Sequence, residues 1–239
     1  MSDNDHDRWG ILYLVPTPIG NLEDITVRGL RILREVETIA CEDTRVAASL
    51  LRHYDLPPKR LISNFAGNEG ERAGQIVDIL RAGRDVALVS DAGTPGISDP
   101  GTRLVSMALS VGIRIEPLPG ATAFVPALAA SGLPTHAFVF EGFLPHKKGR
   151  QTAIRRLSAE ERTLILYESP HRIVRTLTEL ADVFGPDRRA VCCRELTKRY
   201  EEIIRGSLGT LRDLFSARAS IKGEFVLVID GMRAPSRGL

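Results

Sequence analysis

Short apolar runs alternate with longer segments of helical spacing along almost the whole chain, the pattern of strands and helices packed as an α/β sheet. ILYLV (11–15) reads as a buried strand, and the segment after it spaces Ile25, Leu30, Ile32, Leu33 and Val36 as a helix. TIAC (38–41) and RLISNF (60–65) are the next strands, separated by a helix over RVAASLLRHY (45–54). A helix over 69–82, closed by Gly83 in the left-handed conformation, leads to VALVS (86–90). Asp99-Pro100 offers an N-cap and a first-turn proline for a helix running to Gly112. IRIEPL (113–118) then completes five strands, expected to form a parallel sheet.

A second set follows. PGATAFVPALAASG (119–132) is helix-like, although Pro126 should break or kink it. AFVFEGF (137–143), TLILYE (163–168), AVCCREL (190–196), EEIIRG (201–206) and EFVLVID (224–230) all read as strands. Ser169-Pro170 begins a helix that ends near Gly185. The last sheet segments lie close together in the chain, so hairpins and a mixed sheet are expected. The organisation is therefore two α/β domains, 11–118 and 119–239, with the boundary near Leu118–Thr122 and residues 1–10 as a flexible tail.

The 239 residues suffice for two such domains of about 110–120 residues each. A content of 43% hydrophobic and 26% charged residues marks a globular chain and argues against disorder. The formal charge of +2 exerts no overall pull toward nucleic acid, so any basic surface must be local. Three cysteines, Cys41, Cys192 and Cys193, cannot build a disulfide framework, and no CxxC spacing points to zinc. The polar, acidic start MSDNDHD is unlike a signal peptide, and no apolar run approaches the ~20 residues of a membrane span. A cytoplasmic protein with no membrane association is expected.

Three loops at strand ends carry the chemistry: PTPIGN (16–21), SDAGTPGISDPG (90–101) and PGAT (119–122). In an open α/β sheet, ligands sit beyond the carboxyl ends of the strands, near a switch in strand order. No Lys or Arg lies between Ser90 and Thr102, and PTPIGN lacks GxGxxG while its prolines remove amide donors that a pyrophosphate needs. GNEGERAGQ (67–75) lacks the Lys-Ser/Thr pair of a phosphate loop, and GxSxG and HExxH are absent. A compact ligand with hydroxyls, an ammonium and a cationic centre suits what remains, and S-adenosylmethionine has all three. Each loop alone is equally well a tight βα turn that holds nothing.

PTPIGNLEDIT, CEDTR, SDAGTPGISDPG, PGATA, FEGFLP, YESPHR and RELTKRYEE occur in this order. Together they resemble the ribosomal RNA small subunit methyltransferase I group of the tetrapyrrole methylase superfamily, over about Ile11 to Asp230. The resemblance implies S-adenosyl-L-methionine held in a cleft between two tetrapyrrole methylase-like domains, and a homodimer. It also implies methyl transfer to the ribose 2′-hydroxyl of a cytidine in the decoding region of 16S rRNA, with no metal. Pro16 and Ile19 fall on the superfamily's first loop, and Ser90-Asp91-Ala92 on its Gly-Asp-Pro motif, making Asp91 the ligand-facing carboxylate. Ala92, Gly93, Thr94, Ala121, Thr122 and Tyr167 fall near the cofactor by the same alignment.

A sulfonium is already an activated donor, so alignment of the acceptor oxygen supplies much of the rate. Candidate catalytic groups are Glu195 and Lys198 in RELTK and Glu168 in YESPHR; a lysine serves as a base only if its pKa is lowered, and as a cation steadies a developing oxyanion or a phosphate. The run HKKGRQTAIRR (146–156) offers Lys147, Lys148, Arg150, Arg155 and Arg156 as a phosphate clamp for the rRNA or the small ribosomal subunit, with Arg172, Arg194 and Arg199, on a mobile loop hinged at Gly149. A charge run of this kind is also the pattern of a solvated face. His53, His136, His146 and His171 show no ligand spacing, Cys192 and Cys193 point to opposite faces of a strand, and Trp9 and Phe140 read as packing residues. Two rival functions remain open: a methylase of corrinoid or porphyrin precursors, and a noncatalytic ribosome-assembly RNA-binding protein.

Overall fold

The run Thr38–Cys41 is buried at all four positions, as a strand sealed by helices on both faces must be. In the computed structural model, which describes residues 9–65 and 67–232, it is β2 of a five-stranded sheet. Its neighbours are β1 (Leu12–Leu14), β3 (Arg60–Ser63), β4 (Val86–Val89) and β5 (Ile115–Pro117), in the order β3-β2-β4-β1-β5, all parallel. Helices α1 (Val27–Glu35) and α2 (Thr44–His53) seal one face, where Leu33 and Leu51 pack with Val15, Ile39 and Val89. On the other face lie α3 (Glu69–Arg81) and α4 (Thr102–Ser110), whose Ile76, Leu80 and Leu104 pack with Leu12, Ile62 and Leu88. The adjacent strands β1 and β4 thus send their carboxyl-terminal loops to opposite faces, which opens a crevice between those loops.

The second sheet is mixed, as expected. Its strands are β6 (Phe138–Phe143), β7 (Thr163–Glu168), β8 (Arg189–Arg194), β9 (Glu202–Ser207) and β10 (Phe225–Ile229), in the order β6-β7-β10-β8-β9. Only β6 and β7 run parallel; the last strand inserts between β7 and β8 and is buried at every residue. Helices α6 (Arg150–Ser158), α7 (Ile173–Phe184) and α8 (Leu208–Ser216) form one core with Leu164, Leu166, Cys192 and Leu227. A short helix, α5 (Phe124–Ser131), packs against β10.

The chain divides into two compact units, Met1–Thr122 and Ala123–Leu239. The loop 119–122, assigned above to the second domain, stays with the first unit because its contacts are there. Leu118 donates its amide to Leu14 O at 3.0 Å, and the Ala121 carbonyl accepts from Thr94 Oγ1 at 2.9 Å. Of the expected tail, residues 1–8 lie outside the described residues; Trp9 packs on the first core and Gly10 is buried, its amide 2.8 Å from Leu80 O.

Four local expectations need correction. Helix α4 starts at Thr102, not at Asp99-Pro100; Glu69 Oε1, from the start of α3, accepts the Gly101 and Arg103 amides at 2.9 and 3.0 Å and serves as its anionic cap. Pro126 neither breaks nor kinks α5, because it is the third helical residue, where no intrahelical acceptor is lost. Helix α7 begins at Ile173, with Ser169 O accepting the amides of Arg172 and Ile173. Helix α8, not anticipated, buries Leu208, Leu211 and Phe215 at helical spacing behind the Ser207 cap.

Candidate functional site

In the first unit, the loops after β1, β4 and β5 are knitted into one structure. Thr17 and Gly93 exchange both amide–carbonyl hydrogen bonds, each 2.9 Å, in an isolated antiparallel bridge across the β1/β4 crevice. Thr17 Oγ1 donates to Ser90 O and Ser90 Oγ to Gly93 O, both at 3.0 Å, so the buried turn is satisfied from within. Gly93 has φ +91°, and a Cβ there would meet Ile19 Cγ2 at 3.5 Å and Ala121 O at 3.7 Å. Gly120 lies so close to Pro16 that a Cβ would come within 2.6 Å of the proline Cβ. Pro16, Ile19, Gly93, Thr94 and Ala121 are therefore brought together, Thr122 follows partly exposed, and Asp91 and Ala92 stand exposed at the tip.

The electrostatics of this loop cluster are acidic. Asp91 Oδ1 accepts the Asp43 amide at 3.1 Å, linking the ends of β4 and β2. Burial, then the charges of Asp91 and Asp43, push the neighbouring Glu42 carboxyl up. Hydrogen bonds from the Arg45 side chain and amide hold the partly exposed Asp43 carboxyl at about 2. Glu42 and Asp43 were not among the expected ligand residues; their place right after β2, inside the quoted CEDTR, was the available signal. Main-chain groups and carboxylates with no cation from Asp91 to Gly101 suit a hydroxyl-rich cationic ligand and repel a pyrophosphate.

In the second unit, the candidate residues line one edge of the sheet. Phe143, Tyr167, Val226, Cys193 and Ile203 are in register across its five strands, and Glu168, Phe225, Arg194 and Glu202 form the next row. The Tyr167 hydroxyl accepts the Phe124 amide at 3.2 Å, and its ring meets Phe140 and Phe143 edge-on. Glu168 is 2% exposed, with Thr176 Oγ1 at 2.6 Å, the Ser169 amide at 2.7 Å and Arg172 at 2.8 Å. That engagement fastens α7 to β7 and leaves it closed to a substrate.

Glu195 and Lys198 do meet, Nζ to Oε1 at 3.0 Å, and Lys198 also reaches Glu224 at 2.9 Å. Burial works against the lysine's charge, but the bonds to Glu224 and Glu195 outweigh it and hold its pKa above the ordinary lysine value. Burial raises the Glu195 carboxyl, yet the Lys198 bond and the Glu224 amide bring it below the ordinary range. The pair is ionised, so Lys198 is a cation and not a neutral base.

The basic run separates into unlike members. Gly149 caps α6 with φ +83°, and Arg150 begins the helix with 1% exposure, bonded to Glu179 at 2.6 Å, Thr176 at 2.7 Å and Pro145 O at 3.2 Å. Its donors are spent inside the unit, which removes it from a surface clamp. Lys147 and Lys148 are exposed and, among the described residues, in no ion pair. Arg194 is tied to Lys222 O and faces Glu202, and Arg172 bonds Glu168 and Leu144 O. Among the described residues no group of three or more His, Cys, Asp or Glu is placed to hold a metal, and no helix is long and apolar enough to cross a membrane.

Comparison with known proteins agrees with this architecture. The family model for Tetrapyrrole (Corrin/Porphyrin) Methylases matches residues 11–212. The protein named Ribosomal RNA small subunit methyltransferase I from Halalkalibacterium halodurans is 49% identical over 232 residues, covering 97% of this chain and 79% of that protein. Its namesake from Pseudomonas aeruginosa is 47% identical over 228 residues, covering 95% and 80%. Among solved structures, uroporphyrin-III C-methyl transferase from Thermus thermophilus, complexed with S-adenyl homocysteine, aligns with a TM-score of 0.65 at 21% identity over 92% of this chain and 97% of that one. A diphthine synthase aligns at 0.70 and 16% identity over 92% and 90%. At these identities the likeness to the solved structures is one of fold.

Proposed function

Because the chain belongs to the ribosomal RNA small subunit methyltransferase I group of the tetrapyrrole methylase family, we propose that it is an S-adenosyl-L-methionine-dependent methyltransferase of small-subunit ribosomal RNA. The acceptor in this reading is the ribose 2′-hydroxyl of a cytidine in the decoding region of 16S rRNA. The observation that supports it most is the knitted loop cluster of the first unit, with its carboxylates and its lack of lysine and arginine.

The donor set fits the cofactor. The Asp91 carboxylate, seconded by Glu42 and Asp43, would accept hydrogen bonds from hydroxyl and ammonium groups, and main-chain groups at Ala92, Gly93 and Ala121 would line the adenosyl moiety. Gly120 keeps its segment against Pro16 where a side chain would intrude, and Gly93 holds a φ of +91° that other residues rarely adopt. Pro16, Ile19, Thr94 and Thr122 shape the walls. When bound, the cofactor supplies a methyl group already activated on a sulfonium.

The protein's remaining work is alignment of the 2′-oxygen, with Lys198 as a fixed cation that steadies negative charge at the acceptor or holds a neighbouring phosphate. Lys147 and Lys148 add phosphate contacts. The test is to incubate small ribosomal subunits from cells lacking the protein with labelled S-adenosylmethionine and map the ribose methyl groups. Label at one cytidine ribose, absent from untreated subunits, is expected. Label on a tetrapyrrole precursor with none on RNA overturns the proposal in favour of the corrinoid or porphyrin reading; cofactor binding with no transfer to either overturns it as well.

A further inference from the structure

Resting on that reading, we propose that the second unit's sheet edge holds stacking platforms for single-stranded RNA, with Phe143 as the principal ring and Tyr200 as the second. Most aromatic side chains of this unit are packed among themselves. Phe140 stacks on Phe124 at 4.7 Å, and Phe215 meets Phe225 inside the helical core. Phe143 departs from this pattern. It ends β6 with 51% of its surface exposed, while Tyr167 holds its ring edge-on at 5.7 Å. The Arg172 guanidinium lies 6.0 Å from the ring centroid, and the exposed Lys147 and Lys148 follow a few residues on.

A bulge between Phe140 and Gly142 creates this placement. It puts Phe140 opposite Ile165 and Phe143 opposite Tyr167, so two residues three apart share one face. One of them packs and the other is presented to solvent. At the far side of the same edge, in the β8–β9 connection, Tyr200 is 66% exposed with Arg199 5.7 Å from its ring. Three strand spacings separate β6 from β8, about 14 Å, and Lys198 lies over the β10–β8 pair between them.

An apolar ring flanked by cations suits a nucleobase with its phosphates, whereas a protein partner wants a continuous apolar patch. Bases splayed from single-stranded RNA are recognised in this way, by aromatic stacking beside charged backbone contacts. The rings would therefore hold nucleotides flanking the acceptor.

The experiment compares wild type, Phe143→Ala, Phe143→Trp and Tyr200→Ala. We expect Phe143→Ala to lower kcat/KM on small subunits about 5- to 100-fold, and Tyr200→Ala to lower it less. Affinity for S-adenosylmethionine, by calorimetry, should be unchanged in both. Phe143→Trp should restore activity, and its fluorescence should be quenched by an oligoribonucleotide of the decoding-region sequence, beyond the baseline from Trp9. Wild-type kcat/KM in Phe143→Ala, or no quenching in Phe143→Trp, overturns the platform. So does a smaller sedimenting species in Phe143→Ala with RNA affinity intact, which would make the ring a protein contact. If the wild type transfers no methyl to RNA, the catalytic reading fails by itself, and quenching still decides on the platform.

Discussion

Arg150 and Lys147 stand three residues apart in one basic run, yet the fold gives them opposite work. Arg150 is buried and its guanidinium joins Glu179, Thr176 and the Pro145 carbonyl, whereas Lys147 and Lys148 project into solvent. Arg150→Ala would take from Glu179 and Thr176 a buried partner, leaving Glu179 with Arg175 and Thr176 with Glu168, a loss of about 2 kcal/mol in urea denaturation. The salt dependence of RNA binding should be unaltered. The double reversal Lys147→Glu/Lys148→Glu should do the reverse: stability within about 0.5 kcal/mol of wild type, and a log–log salt slope shallower by about 2. A flattened slope in Arg150→Ala would restore it to the clamp.

Among the described residues, the connection between β8 and β9 holds two of the four non-glycine residues with positive φ. Glu195 and Thr197 adopt φ of +52° and +65°, conformations that cost non-glycine residues stability. Gly223 makes room for the turn, since a Cβ there would lie 2.5 Å from Glu195 Cγ. The turn is held by the Glu195–Lys198 ion pair together with hydrogen bonds, among them the Glu224 amide to Glu195 Oε1. The Glu195 carboxyl is lowered on folding, so its contribution is complete above its unfolded pKa and is lost as pH falls through the folded value. Lys198 is raised, so its contribution is complete below its unfolded pKa and is lost only as pH rises through the folded value. The stability difference between wild type and Glu195→Gln should therefore be flat from about pH 6 to 9 and shrink below about pH 4. Urea unfolding across that range measures it; a difference that widens on acidification would contradict the ion pair.

At the scale of the whole molecule, the two units have separate cores, and the three cysteines report on them independently. Cys41 packs in the first unit on the face sealed by α1 and α2, Cys192 and Cys193 lie in the second unit's sheet, and all are buried. Burial, with Asp91 and Asp43 adding to it, pushes the Cys41 thiol up to about 12. Burial also raises Cys193 to about 11 and Cys192 further still. Native protein at pH 8 should therefore give no rapid reaction with a disulfide reagent, and three thiols should titrate after unfolding. Because these pKa values are raised on folding, the stability that protonated thiols support should be complete below about pH 8.5 and decline as pH climbs toward the folded values. A thiol that titrates at pH 8 in the native protein would break this account.

Much was legible in the sequence because fully buried strands are written as continuous apolar runs: Thr38–Cys41 and Thr163–Glu168 needed no tertiary information to find. The loops after β1, β4 and β5 were legible too, since glycine and proline mark tight turns by their own backbone limits. What the sequence could not determine is every feature that depends on distant residues coming together. Glu69 caps a helix that begins 33 residues later, β10 slides between β7 and β8, and Arg150 is buried by a carboxylate on another helix. The partners that Glu168 and Lys198 meet were set in the same way. A residue's type sets the chemistry available to it, but its partners and its burial decide which part of that chemistry is left to use, and only the tertiary structure supplies those.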